Sequence, residues 1–254
     1  MTITYSFVNQ KGGVGKTTTV VSLGAYLAEM GKKVLLIDLD PQGNATACLG
    51  VESFSKGTYD VILGNASAAE CILSNTRLRI SLLPSSPALA GARVELIEMQ
   101  AREHRVEKAL EPINGRYDYI LIDCPPSLGL LTVNGLVAAK DGVIIPVQCE
   151  YLALEGLSQL MTTLDHAKAR LNPGMTIRGL VLTMYDSRTN LARDVVEEVR
   201  THFPGKVFKS IIPRTVRLAE APSHGLPISV YAPQSTGGIA YRALANELLN
   251  ADQV

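Results

Sequence analysis

The segment Lys11-Gly12-Gly13-Val14-Gly15-Lys16-Thr17-Thr18 constrains this chain more than any other part of it. It follows the apolar run Ile3–Val8 and opens Thr17–Met30, where Val20, Leu23, Leu27 and Met30 recur at the spacing of one helical face. A strand, a glycine-rich turn and a helix in that order form a phosphate-binding loop. Glycines at 12, 13 and 15 let the backbone turn tightly and bring its N–H groups close to phosphate oxygens. The first turn of the helix adds unpaired N–H groups and a positive dipole end. In such a loop Lys16 reaches the terminal phosphates and the Thr17 hydroxyl ligates Mg²⁺. The common form places a glycine where Gln10 stands, and this chain has a second lysine, Lys11, before the glycine pair.

The rest of the chain repeats the strand–helix alternation. Val34–Asp38, Ile80–Leu83, Tyr119–Asp123, Val143–Val147, Gly179–Thr183 and Val207–Ile212 read as further strands. Most are continuous apolar runs, as expected of strands buried on both faces. Gly91–Leu110, Leu130–Ala139, Leu154–Leu171, Leu191–His202 and Gly237–Leu249 read as helices. The pattern predicts an α/β fold, a mostly parallel twisted sheet with helices on both faces. No repeat or long linker divides residues 1–254, so a single domain is expected.

Composition narrows the classes of function. The chain has 24 basic and 24 acidic residues, which excludes a uniformly basic nucleic-acid coat but not a local basic face. Such a face is legible: between Lys168 and Arg217 lie ten Lys or Arg residues against four acids. No recognisable reader of base sequence accompanies it, so the expectation is non-specific contact with phosphates of double-stranded DNA. Cys48, Cys71, Cys124 and Cys149 show no metal-ligand spacing, which points to a reduced, cytoplasmic setting. Neither a signal-peptide pattern nor a long apolar run is present, and no membrane association is expected.

Three carboxylates stand at strand ends. Asp38 and Asp40 close the second strand and Asp123 closes Tyr119–Ile122. Ligands of parallel sheets collect at the carboxyl ends of strands, so all three can face the phosphates. Asp123, after an apolar strand, fits a holder of Mg²⁺ together with Thr17, and Asp38 fits a supporting place in the same shell. Pro125-Pro126 stiffens the chain just after Asp123.

The KGGVGKT loop resembles that of the ParA/MinD family of deviant Walker-A ATPases. The likeness continues in Val34–Asn44, Asp123–Ser127, Pro146–Glu150 and Pro213–Gly225, and together these look like the chromosomal ParA subgroup called Soj. The resemblance implies an ATPase binding ATP or ADP with Mg²⁺. It implies a homodimer closing face to face around two ATP molecules, with Lys11 reaching the partner's phosphates. Lys11, Lys16 and Asp40 would be catalytic, Asp40 by positioning the attacking water. The nucleotide would lie on Lys11, Gly12, Gly13, Val14, Gly15, Lys16, Thr17 and Thr18, with its base against Met184, Pro213 and Arg214. Arg188 and Arg217 would contact DNA, a ParB-type partner protein would stimulate hydrolysis, and the dimer would sit on the nucleoid.

Rival readings share the loop. A MinD-type membrane cycler ends in a basic amphipathic helix, whereas residues 241–254 carry one Arg and two acids and should pack on the domain. An iron–sulfur reductase needs bridging cysteines in a glycine-flanked setting, which Cys124 and Cys149 lack. A bacterial tyrosine kinase needs a tyrosine-rich tail, and a nucleotide-dead adaptor would not need the full set of Lys11, Lys16, Thr17, Asp40 and Asp123. A ParA-like positioner of a protein cargo would use the same engine.

Overall fold

The computed structural model describes residues 2–75, 78–151 and 153–253. Seven strands form one sheet: β1 (Ile3–Phe7), β2 (Val34–Asp38), β3 (Leu73–Asn75), β4 (Ile80–Leu83), β5 (Tyr119–Asp123), β6 (Gly142–Gln148) and β7 (Ile177–Thr183). Their order is β3-β4-β2-β5-β1-β6-β7. All neighbours are parallel except β3, which runs antiparallel to β4 at the edge. β3 escapes a reading of periodicity because it is only three residues long.

The main helices are α1 (Lys16–Glu29), α2 (Leu130–Ala138), α3 (Ala153–Arg170), α4 (Asn190–His202) and α5 (Thr236–Asp252). Strand residues alternate between two faces, and each face builds its own core. Leu36, Leu121, Ile144 and Val181 pack with Val20, Leu23 and Leu27 of α1 and Tyr241, Leu244 and Leu248 of α5. Leu35, Ile120, Ile122, Val143 and Ile145 pack on the other side with α2, α3 and α4, through Leu131, Leu160, Leu164, Val195 and Val199. The apolar face of α5 is therefore covered by α1 and the sheet. None of the described helices is long and apolar enough to cross a membrane.

Two expected elements differ. Val207–Ile212 makes only an isolated bridge, Leu180 to Val207, beside β7, and a second follows from Tyr185 to Pro213. The Phe208 and Ile212 N–H groups donate to the Leu180 and Leu182 carbonyls of β7, but Glu247 of α5 accepts the N–H groups of Lys209 and Ser210 at 2.7 and 3.0 Å, which interrupts the ladder between them. The helix expected over Gly91–Leu110 is broken into Leu89–Glu95, a 3₁₀ turn at Leu96–Glu98, and Arg105–Leu110. Ala101 adopts φ +49° at the break. Asn134 of α2 then stitches the gap, donating to the Arg102 carbonyl at 2.7 Å and accepting the Val106 N–H at 3.1 Å.

The amino-terminal edge of the sheet is locked to the end of α5. Asp252, with only 5% of its side chain exposed, accepts from Tyr5 at 2.7 Å, Tyr119 at 2.9 Å and Arg178 at 2.8 Å. Removing one member of a buried ion pair leaves the other charge without a partner. Asp252→Ala is therefore expected to lower stability by about 3 kcal/mol, read as a lower urea midpoint at an unchanged slope.

Candidate nucleotide site

The parallel register sets the site. Asp38 and Asp123 lie side by side at the carboxyl ends of β2 and β5, and Phe7 lies opposite Asp123 on β1. The chain leaves β1 into the glycine loop, where Gly13 and Gly15 take φ of +74° and +86°, a region that favours glycine. Three side chains hold the loop. Asn9 donates to the Pro146 carbonyl at 2.7 Å and accepts the Lys11 N–H at 3.0 Å. Thr183 donates to the Val14 carbonyl at 2.9 Å, and Thr19 donates to the Gly15 carbonyl at 2.7 Å.

Lys16 begins α1 and folds its ammonium back to the Lys11 carbonyl, 3.4 Å away. It is buried. Burial pulls its pKa below the ordinary lysine value, against the opposing attraction of Asp123. Thr17 donates its hydroxyl to Asp123 Oδ2 at 2.6 Å. Asp123 Oδ1 is buried without a hydrogen-bond partner among the described residues. Burial, then the charge of Asp38, pushes the Asp123 pKa up. An unpartnered carboxylate oxygen beside a hydroxyl, where phosphates would arrive, is the hard oxygen set that suits Mg²⁺.

Asp38 departs from its expected place in the cation's shell. Its Oδ2 accepts the backbone N–H and the hydroxyl of Thr46 at 2.8 and 2.7 Å, and its Oδ1 accepts the Asp40 N–H at 3.2 Å. Both oxygens serve the loop of residues 40–46. Thr46 Oγ1 in turn accepts the Ser85 N–H at 2.9 Å, and Ser85 Oγ donates to the Asp40 carbonyl at 2.8 Å. Asp40 is thereby held in a nearly buried loop, with its Oδ1 accepting the Gln42 N–H at 3.0 Å.

Met184, Pro213 and Arg214 come together as expected. The Tyr185 N–H donates to the Ile212 carbonyl at 3.0 Å and the Arg214 N–H to the Tyr185 carbonyl at 2.9 Å, which joins the two segments. They line a cleft of about 260 Å³ that also touches Gly15, Thr18, Leu218 and Tyr241. The cleft thus adjoins the phosphate loop. Met184 takes φ +52°, an uncommon conformation for a side chain of its size.

The remaining candidates are on the surface. Lys11 pairs with Glu150 of its own chain. Arg188 is 86% exposed and forms a two-pronged ion pair with Asp186, at 2.9 and 2.7 Å. Arg217 is exposed and bonds Glu220 at 3.0 Å. Arg178, one of the ten cations of the basic stretch, is instead committed to Asp252. Sequence spacing offered no signal for Glu150 beside Lys11, Ser85 beside Thr46 or Thr183 beside Val14, contacts that span 139, 39 and 169 residues.

A family model described as an AAA domain matches residues 2–177. Soj, the sporulation initiation inhibitor protein of Bacillus subtilis, is 53% identical over 245 residues, covering 96% of both chains. The chromosome-partitioning ATPase Soj of Treponema pallidum is 51% identical over 98% of each chain. The chain belongs to the ParA/Soj family of ATPases. A crystal structure titled cobyrinic acid a,c-diamide synthase from Mycobacterium smegmatis, with bound ADP and magnesium, superposes on this ParA/Soj-family ATPase with a TM-score of 0.88. It shares 40% identity and covers 100% of this chain, with 96% of its own length matched.

Thr46 is the keystone of the loop that carries Asp40, because its hydroxyl donates to one buried group and accepts from another. Thr46→Val keeps the shape and removes both bonds. It is expected to cost about 2 kcal/mol of stability, measured as a shift in urea midpoint.

Proposed function

We propose that this chain is a ParA/Soj-type partitioning ATPase whose ATP-bound homodimer holds double-stranded DNA without sequence preference. The observation that carries the reading is the convergence of Lys16, Thr17, Asp123 and Asp40 at one end of the sheet, with Lys11 exposed beside them. The loop N–H groups and Lys16 bind the phosphates, and the cleft at Met184, Pro213 and Arg214 takes the adenine of ATP or ADP. Thr17 and Asp123 would hold Mg²⁺, which supplies neutralising charge to the phosphates. Asp40 orients the attacking water from its braced loop.

Lys11 supplies the coupling to assembly. Exposed ion pairs contribute only about 0–1 kcal/mol, so the pair with Glu150 is readily exchanged for a triphosphate's charge. Delivered across a dimer, Lys11 adds charge stabilisation that one chain lacks. Dimerisation therefore depends on ATP, and hydrolysis depends on dimerisation.

The same arithmetic applies to DNA. Arg188 and Arg217 lie on neighbouring segments at the β7 edge, where the exposed Arg188 pairs with Asp186 and the exposed Arg217 with Glu220, which also accepts from Tyr231. A polyanion that releases its counterions outcompetes such partners. Two copies of the patch in one dimer raise the affinity through effective concentration. A ParB-type partner protein would speed hydrolysis and so release the dimer from the nucleoid. The chain acts in this scheme as one domain.

Sedimentation with non-specific duplex DNA tests the scheme. The wild-type chain is expected to co-sediment with ATP and not with ADP, and Arg188→Glu to weaken retention while leaving the dimer intact. Asp40→Ala should remain a DNA-bound dimer in ATP, because its cycle stops before hydrolysis. A monomer by light scattering would contradict that assignment. Lys11→Ala is expected to bind ATP yet stay monomeric by light scattering. ATP-dependent association that survives this change would remove the cross-dimer role of Lys11.

A further inference from the structure

We infer that Tyr241, near the start of the carboxyl-terminal helix α5, is a positioning residue for the phosphate loop, acting through Thr19 on the Gly15–Lys16 peptide. The inference rests on the nucleotide reading above and extends it to a residue distant in sequence.

The Tyr241 side chain is 1% exposed, and its hydroxyl lies 3.0 Å from Thr19 Oγ1. Thr19 has one hydroxyl proton, and it is committed to the Gly15 carbonyl at 2.7 Å. Tyr241 must therefore be the donor, which gives the chain a direction: Tyr241 O–H to Thr19 O–H to Gly15 C=O. The Thr19 backbone N–H donates to the same carbonyl at 2.9 Å. Two donors thus converge on one carbonyl oxygen.

That carbonyl shares a peptide plane with the Lys16 N–H, one of the free donors at the start of α1. Gly15, at φ +86°, lets the plane swing into place but does nothing to hold it there. The Thr19 and Tyr241 hydroxyls do the holding. Consecutive hydrogen bonds also polarise one another, so the carbonyl's two donors make the Lys16 N–H a stronger donor to phosphate. A tyrosine needed only for packing would serve equally well without its hydroxyl. Tyr241 also borders the base cleft, so the test must separate phosphate from base.

Displacement of a fluorescent ADP analogue by ADP and by adenosine makes that separation, since adenosine carries no phosphate. Tyr241→Phe is expected to weaken ADP by about five-fold, the range for one lost neutral hydrogen bond, and to leave adenosine unchanged. Thr19→Val should weaken ADP at least as much, and Thr19→Ser, which restores the hydroxyl, should recover the lost affinity. Unchanged ADP affinity in Tyr241→Phe overturns the inference, as does an equal loss for ADP and adenosine, which would assign the hydroxyl to the base cleft. Lys16→Ala distinguishes the two levels. If it loses ADP while Tyr241→Phe does not, only the role of Tyr241 fails; if it retains ADP, the nucleotide reading fails and takes this inference with it.

Discussion

Two buried carboxylates at adjacent strand ends are the constraint around which this molecule is organised. Parallel pairing of β2 with β5 sets Asp38 beside Asp123, both out of contact with water. Burial pushes both toward the protonated form, joined at Asp123 by the charge of Asp38 and at Asp38 by the charge of Asp40. The fold resolves the two differently. Asp38 is satisfied internally, by Thr46 and the Asp40 N–H. Asp123 is left half satisfied, with Thr17 on one oxygen and no partner on the other among the described residues. One carboxylate is thereby structural and its neighbour is open to a cation. The same type of residue in the same sheet position thus meets two different sets of hydrogen-bond donors.

The loops over these carboxylates are flexible by composition and rigid by bonding. Gly12, Gly13 and Gly15 could take many conformations, and side chains from three other places in the sequence limit them: Asn9, Thr183, and Thr19 backed by Tyr241. Asp40 is held in the same manner by Thr46 and Ser85. Oriented N–H groups that need no rearrangement are what charge stabilisation of a phosphoryl group requires. The helix that closes the chain joins in this bracing at both ends. Tyr241 supports the loop above the sheet, and Asp252 ties down Tyr5, Tyr119 and Arg178 below it.

Much of this was legible in the sequence where the signal was local. The strand–loop–helix at Ile3–Met30 states its own geometry, because three glycines before an amphipathic helix leave few other solutions. Asp123 is marked by the apolar strand before it, and the grouping of Met184 with Pro213 and Arg214 followed from family resemblance. What failed was non-local. Val207–Ile212 has the composition of a strand, and its Phe208 and Ile212 N–H groups do reach β7 carbonyls, yet Glu247, some 37 residues later, captures the Ser210 N–H between them. Gly91–Leu110 has helical composition throughout, yet it breaks at Ala101, and Asn134 from α2 bridges the gap. Asp38 was read as supporting the cation's shell, and its bonds to Thr46, eight residues on, were not foreseen.

The ion pairs of this chain fall into two strengths, and the division follows solvent exposure. Arg178 with Asp252 is largely shielded and supported by two tyrosine hydroxyls, so separating it leaves buried charge with no compensation. Lys11 with Glu150, Arg188 with Asp186 and Arg217 with Glu220 stand in water, where such pairs contribute about 0–1 kcal/mol. The strong pair is at the amino-terminal edge of the sheet, away from the phosphates, and the weak ones surround the nucleotide end and its flank. In the proposed scheme these weakly held cations change partners, from a carboxylate of their own chain to a phosphate of a nucleotide or of DNA. The chain's net charge of zero is a poor guide to such a surface, because these cations are paired only with carboxylates of their own chain. Partner exchange of this kind needs no large movement of the fold, only a frame rigid enough that the exchanged side chains always start from the same place.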